Sequence, residues 1–186
     1  ERLEILRGPA SVLYGQNGPG GMVNVVSKRP TAEPLHELQL QLGDHARRQV
    51  AVDLSGPVDA EGRLLYRVTG LARDAELSTG GLPNDQFFIA PSLTWRPSAD
   101  TSLTLLSEFI RMRTGSVWSS YPAAGTLLGN PNGRVPVATF IGERDFNRYD
   151  QDQWMLGYLL EHRLDEVWTL RQNARLGHFD TDYQTF

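Results

Sequence analysis

Between about residue 35 and residue 176 the chain alternates apolar and polar residues with a period of two, and it does so in seven separate segments. Leu38, Leu40 and Leu42 are interleaved with Glu37, Gln39 and Gln41, and Val50, Val52 and Leu54 with Gln49, Ala51, Asp53 and Ser55. The same pattern runs from Leu64 to Ala72, Phe87 to Trp95, Leu103 to Phe109, Trp154 to Leu160 and Trp168 to Leu176. Successive side chains of a strand point to opposite faces, so each segment reads as a strand of ~10 residues with one apolar and one polar face. Two positions strain the pattern. Gln172 interrupts the last apolar face, and Pro91 removes a ladder donor from what reads as a central strand.

Seven such strands need somewhere to put their apolar faces. A soluble β-sandwich would bury them against a second sheet, and a membrane barrel would turn them towards lipid. The connections separate the two. Residues 59–62, 97–100 and 164–166 form short turns, whereas about 75–86 and about 114–152 are long loops. Short turns at one end of a sheet and long loops at the other are the pattern of an outer-membrane barrel; the short hairpin at 43–45 is the exception. Tyr66, Trp95 and Trp168 lie beside the short turns on the apolar face, where an interfacial aromatic girdle would sit. Arg67, Arg73, Arg96, Arg163, Arg171 and Arg175 share the opposite face, which suits a wet interior but also a charged surface of a soluble sheet. Alternation alone leaves barrel and sandwich both open.

Composition narrows the function classes. The 186 residues carry a formal net charge of -4, which argues against a nucleic-acid partner. The absence of cysteine removes disulfides, thiolate metal sites and a cysteine nucleophile. Gly15 to Gly21 lacks the ending of a phosphate loop, and Gly8-Pro9-Ala10-Ser11 is no nucleophile elbow. His36, His45, His162 and His178 have no metal spacing, so the residues point to no catalytic and no metal site. Asp180 and Asp182 beside His178 lack the Gly and Glu that close a calcium loop.

The first thirty residues differ from the rest. Gly15, Gly18, Gly20 and Gly21 crowd around Pro19, and Val23, Val25 and Val26 favour a strand. The stretch from Glu1 through Leu6-Arg7-Gly8-Pro9-Ala10-Ser11-Val12-Leu13-Tyr14-Gly15, continued by Gly18-Pro19-Gly20-Gly21-Met22-Val23-Asn24-Val25-Val26-Ser27-Lys28-Arg29-Pro30, closely resembles the end of the plug domain of TonB-dependent siderophore receptors. Leu65-Tyr66-Arg67-Val68-Thr69-Gly70-Leu71-Ala72-Arg73 and Ala90-Pro91-Ser92-Leu93-Thr94-Trp95-Arg96-Pro97 are similar to early barrel strands of the ferrichrome-type, hydroxamate branch. Val167-Trp168-Thr169-Leu170-Arg171-Gln172-Asn173 is similar to a later one.

The resemblance implies an all-β fold: about seven strands of a larger, plugged transmembrane antiparallel β-barrel, preceded by the tail of an α+β plug domain. Residues 1–30 would be the C-terminal part of the plug and 31–186 the N-terminal strands of the barrel. At ~21 residues per strand, a barrel of roughly 22 strands needs ~460 residues, so the chain is expected to be a fragment that does not transport by itself. Both ends look cut, and Phe186 reads as an accidental end because Gln184 breaks the alternation before it. The implied function is uptake of a ferric siderophore, hydroxamate-type favoured, across the bacterial outer membrane. The implied partners are the siderophore, outer-membrane lipid, and the TonB complex through an N-terminal box that this stretch lacks. No cofactor is expected, since the iron belongs to the siderophore, and no enzyme activity. The alternatives are a receptor for another siderophore, a vitamin or a sugar, an outer-membrane enzyme barrel, and a soluble all-β binding module.

Ligand contacts implied by the resemblance are Tyr14 at the plug apex, with Gln16 and Asn17 beside it, and Trp118 and Tyr121 in the long loop. The aromatic pair is shifted by about one residue from the branch's pattern. Phe140, Phe146 and Tyr149 are weaker candidates. Glu4, Arg7 and Arg29 are expected to make plug-to-barrel contacts, with a local Glu4–Arg7 pair as the bland reading.

Overall fold

A computed structural model describes residues 1–8, 18, 20–117 and 120–185. The described residues contain nine strands and no helix. The alternating region forms one sheet of seven strands: β3 (Leu35–Leu42), β4 (Arg48–Pro57), β5 (Leu64–Asp74), β6 (Asn84–Ser98), β7 (Thr101–Gly115), β8 (Arg148–Arg163) and β9 (Thr169–Gln184). Each strand pairs antiparallel with its neighbours in sequence, in the order β3 to β9. Such an up-and-down order follows from short turns at one end and independent loops at the other.

The register carries the alternation across the whole sheet. Leu38, Val52, Gly70, Ile89, Phe109, Trp154 and His178 stand in one lateral row on the apolar face. Ser55, Arg67, Ser92, Leu106, Gly157 and Arg175 stand in a row on the other face. A one-residue slip at any pair would exchange the two faces.

The apolar face meets no second layer. Trp95, Trp154 and Trp168 are 51%, 38% and 68% exposed, and Leu42 is 83% exposed. A sandwich would bury these side chains against a partner sheet. Among the described residues only Leu65, Ala75 and Leu82 are buried apolar side chains. The sheet is a curved wall that turns its hydrophobic side outward, as a barrel wall does.

Two details depart from the expectation of ~10-residue strands. Strands β6 to β9 run for 15 or 16 residues. At ~3.4 Å per residue and a tilt near 45°, a 16-residue strand rises about 38 Å, well beyond the ~25 Å apolar band. The extra residues therefore extend past an apolar band of that height at the long-loop end. The outward side chains there are charged: Arg111 and Arg113 bridge Asp152, and Arg148 bridges Asp182. Apolar alternation stops at this boundary while the hydrogen-bond ladder continues, which is why the sequence pattern ends early. Phe87, Phe109 and Trp154 mark the boundary as a second aromatic girdle, with Phe87 and Phe109 ring centroids 6.1 Å apart. The second detail is Pro91. Pairing of β6 with β7 skips from Ile89–Phe109 to Ser92–Leu106, and the Ser107 hydroxyl donates to the Pro91 carbonyl at 3.0 Å. The Pro91 carbonyl thus finds a side-chain donor where the backbone ladder is interrupted, while its ring nitrogen donates nothing.

The first residues form a separate two-stranded hairpin, β1 (Arg2–Arg7) with β2 (Gly21–Val26). Val23, Val25 and Val26 form the strand their type favours, and β1 joins it with no comparable run of β-branched residues. Gly21, at φ +123, opposes Arg7; a Cβ there would come within 2.2 Å of the Leu6 carbonyl oxygen, so only glycine closes the hairpin at this point.

Candidate functional site

Of the places where the described residues bring polar side chains together, two adjoin the long loops or the hairpin. One is the long-loop end of the wall, and the other is the segment joining hairpin to wall.

At the long-loop end, residues 75–83 and 120–147 brace each other. The Gly80 amide donates to the Ala138 carbonyl at 3.0 Å, and Phe140 lies so close that a Cβ on Gly80 would approach its Cβ to 2.5 Å. Asn147 is 1% exposed and ties the loop base. Its Oδ1 accepts from the Glu143 amide at 2.9 Å, while its Nδ2 donates to the Ser116 carbonyl at 3.4 Å and to Thr185 Oγ1 at 3.2 Å. The Tyr121 hydroxyl donates to the Thr139 carbonyl, so this candidate ligand contact staples the loop to itself. Tyr149 and Tyr183 meet edge to face at 5.9 Å on the polar side of the sheet. Below them a ladder descends the wall: Tyr149 Oη donates to Gln151 at 3.2 Å, Gln151 Nε2 to Gln153 at 3.0 Å, and Gln153 Nε2 to Glu108 at 3.0 Å. A rigid, concave end with inward rings and amides suits a compact polar ligand carrying apolar edges.

Tyr14, Gln16, Asn17 and Trp118 lie outside the described residues. Of the expected contacts between hairpin and wall, Glu4 has its partners inside the hairpin. It accepts from Arg2 Nε at 2.6 Å and from Asn24 Nδ2 at 2.7 Å, and these two donors hold its carboxyl below the usual carboxylate range. Arg7 stands at the hairpin end opposite Gly21. Arg29 meets the wall through its backbone: its carbonyl accepts from Arg67 Nη1 at 3.0 Å.

The joining segment holds a group of residues that spacing does not single out. Asp53 on β4 is 6% exposed and accepts three charge-assisted bonds. Arg67 on β5 donates through Nε at 2.8 Å and Nη2 at 2.8 Å, one to each carboxylate oxygen, and Lys28 Nζ donates at 2.6 Å. Next to this triad the Thr31 amide donates to Ser55 Oγ at 2.9 Å, and Ser55 Oγ donates to the Tyr66 carbonyl at 2.9 Å. The one sequence signal was a carboxylate at an inward position of β4, among Gln, Ala and Ser. Only the pairing of Asp53 with Thr69 and of Ser55 with Arg67 brings Arg67 diagonally against it.

A wall that is apolar outside and polar inside, with a hairpin tied to its polar side, defines a segment of a plugged membrane β-barrel. The comparisons agree. The ferrichrome outer membrane transporter/phage receptor of Escherichia coli K12 is 41% identical over 97% of this chain and 24% of its own length. The ferrioxamine B receptor of Salmonella typhimurium SL1344 is 36% identical over 96% of this chain and 25% of its own. The open form of the ferric-catecholate import receptor Fiu from Escherichia coli K12 superposes with a TM-score of 0.82 at 19% identity, covering 98% of this chain and 29% of that one. No protein-family model matches the chain. Over nearly its whole length the chain is similar to siderophore receptors of the outer membrane, and its fold is that of part of their plugged barrels. It spans about a quarter of the length of the curated relatives it matches.

Proposed function

We propose that this chain is the joint and first wall of an outer-membrane receptor that takes up a ferric hydroxamate siderophore with energy from TonB. In this reading residues 1–30 end the plug and 31–186 begin the barrel. The observation that carries it is the identity to ferrichrome and ferrioxamine receptors over nearly the whole chain, on a wall whose outward face is apolar from the short turns to the girdle at Phe87, Phe109 and Trp154. The outward face meets outer-membrane lipid. The braced loops and the Tyr149–Tyr183 pair form part of the mouth, with Tyr14, Gln16, Trp118 and Tyr121 as candidate contacts. The TonB complex engages a box elsewhere in the full-length receptor. The receptor performs no covalent chemistry and holds no cofactor, the iron entering inside its chelator. The test is binding of ferrichrome-type and catecholate complexes to the full-length receptor, read by tryptophan quenching, with iron-limited growth on each. Preference for the hydroxamate is expected. Growth on a catecholate or a vitamin alone would overturn the hydroxamate assignment.

A further inference from the structure

Hairpin and wall touch in an uneven way. No Cα of β1 or β2 comes within 8 Å of a strand of the large sheet. Between them lies a cavity of about 380 Å³, with Val25, Val26 and Lys28 on one side and Thr69, Glu108 and Arg175 on the other. Among the described residues the chain crosses that gap at residues 27–34, and there it is held hard. Lys28, the Arg29 carbonyl and the Thr31 amide are each bonded to Asp53, Arg67 or Ser55. Asp53 and Arg67 sit on neighbouring strands whose backbone ladders are complete, so they cannot follow a moving hairpin without breaking the sheet.

We infer that Asp53 is a positioning residue for transport: with Arg67 it pins residues 28–31 to the wall as a fixed pivot about which the hairpin moves. The inference rests on the receptor reading above. A hairpin bonded internally, and among the described residues bonded to the wall only through its joining segment, changes its angle to the wall while losing few bonds. Carboxylate and guanidinium form a two-point fork, which fixes direction as well as position, and a fork suits a pivot better than a single contact would. Lys28, 46% exposed, is the outer arm of the clamp and the weaker one.

The experiment uses the full-length receptor. Thr31→Cys with Ser55→Cys places two thiols where hydroxyls lie 2.9 Å apart, in a chain stretch with no other cysteine. Oxidised and reduced forms should take up ferric hydroxamate at the same rate, because a pivot stays shut throughout the cycle. Asp53→Asn should leave surface binding of the complex unchanged and lower uptake at least about tenfold, with amide exchange of residues 27–34 faster by a similar factor. Lys28→Gln should move the same readouts in the same direction by less. Loss of uptake on oxidation, restored by reductant, would overturn the inference, since the clamp would then have to open. So would wild-type uptake and wild-type exchange in both Asp53→Asn and Lys28→Gln. If the unmodified receptor binds no ferric hydroxamate, the functional reading fails, and exchange at residues 27–34 alone decides whether Asp53 pins the joint.

Discussion

The hairpin and the wall are both antiparallel sheet, yet they are stabilised in opposite ways. The hairpin closes its hydrogen bonds within a single pair of short strands and carries its one buffered carboxylate, Glu4, between Arg2 and Asn24. In the wall, each of strands β4 to β8 is bonded on both sides, and no inner strand can leave without orphaning two ladders. A hairpin beside a fixed frame needs a joint, and the joint holds the most buried ion pair among the described residues. The lesson is that mobility here is a matter of where the bonds close rather than of how many there are.

The comparison can be broken at its joint first. Asp53→Ala in the full-length receptor leaves Arg67 buried without its carboxylate and should cost about 3–5 kcal/mol locally. Urea melts followed by protease cleavage near residue 30 would show it, and an unchanged cleavage midpoint would remove the joint from the argument. The wall's outward face comes next. Leu105→Arg puts a charge midway along β7 on the lipid side and should lower barrel stability in bilayers by about 2–4 kcal/mol. The same substitution at Leu106, on the inward face, should cost less; equal effects would mean the faces are misassigned.

Gly80→Val tests whether the two long loops act as one body. Its Cβ meets Phe140, so the brace must shift at a cost of about 1–3 kcal/mol. Ligand dissociation should quicken while the melting of the wall stays put. The smallest effect is expected in the hairpin. The Glu4 carboxyl is held down in the folded state, so its contribution is complete above the ordinary carboxylate pKa and disappears as pH falls through the lowered value. Glu4→Gln should therefore flatten the acid limb of hairpin exchange and quicken exchange at neutral pH, leaving it close to wild type only in acid. Unchanged exchange at pH 7 would mean that the bonds from Arg2 and Asn24 add no stability to the hairpin.

Much of the frame was legible in the residues. All seven alternating segments are strands, and the turns at 59–62 and 97–100 are tight. Trp95 and Trp168 sit at the short-turn end as expected. The long loops are shorter than the alternation suggests, 75–83 and 116–147, because charged outward residues such as Arg111 and Asp152 continue the ladder without continuing the pattern. Strand β1 is only six residues long, too short for its alternation to stand out, and Phe87, Phe109 and Trp154 close their alternating segments but line up as a girdle only across the sheet.

Period-two alternation is a local property, read by each residue from its own pleat. The sequence by itself therefore determined which segments are strands, which face is apolar, and, through its resemblance to known receptors, what kind of wall they build. The clamp is a different matter. Lys28, Asp53 and Arg67 lie far apart along the chain, and their meeting depends on the register of β4 with β5 and on the path of the linker across the polar face. The same holds for Gly80 against Phe140 and for Asn147 between Ser116 and Thr185. A bond made between distant residues is written in no short stretch of sequence, so the tertiary structure alone decided where the wall grips the hairpin and how the loops brace the mouth.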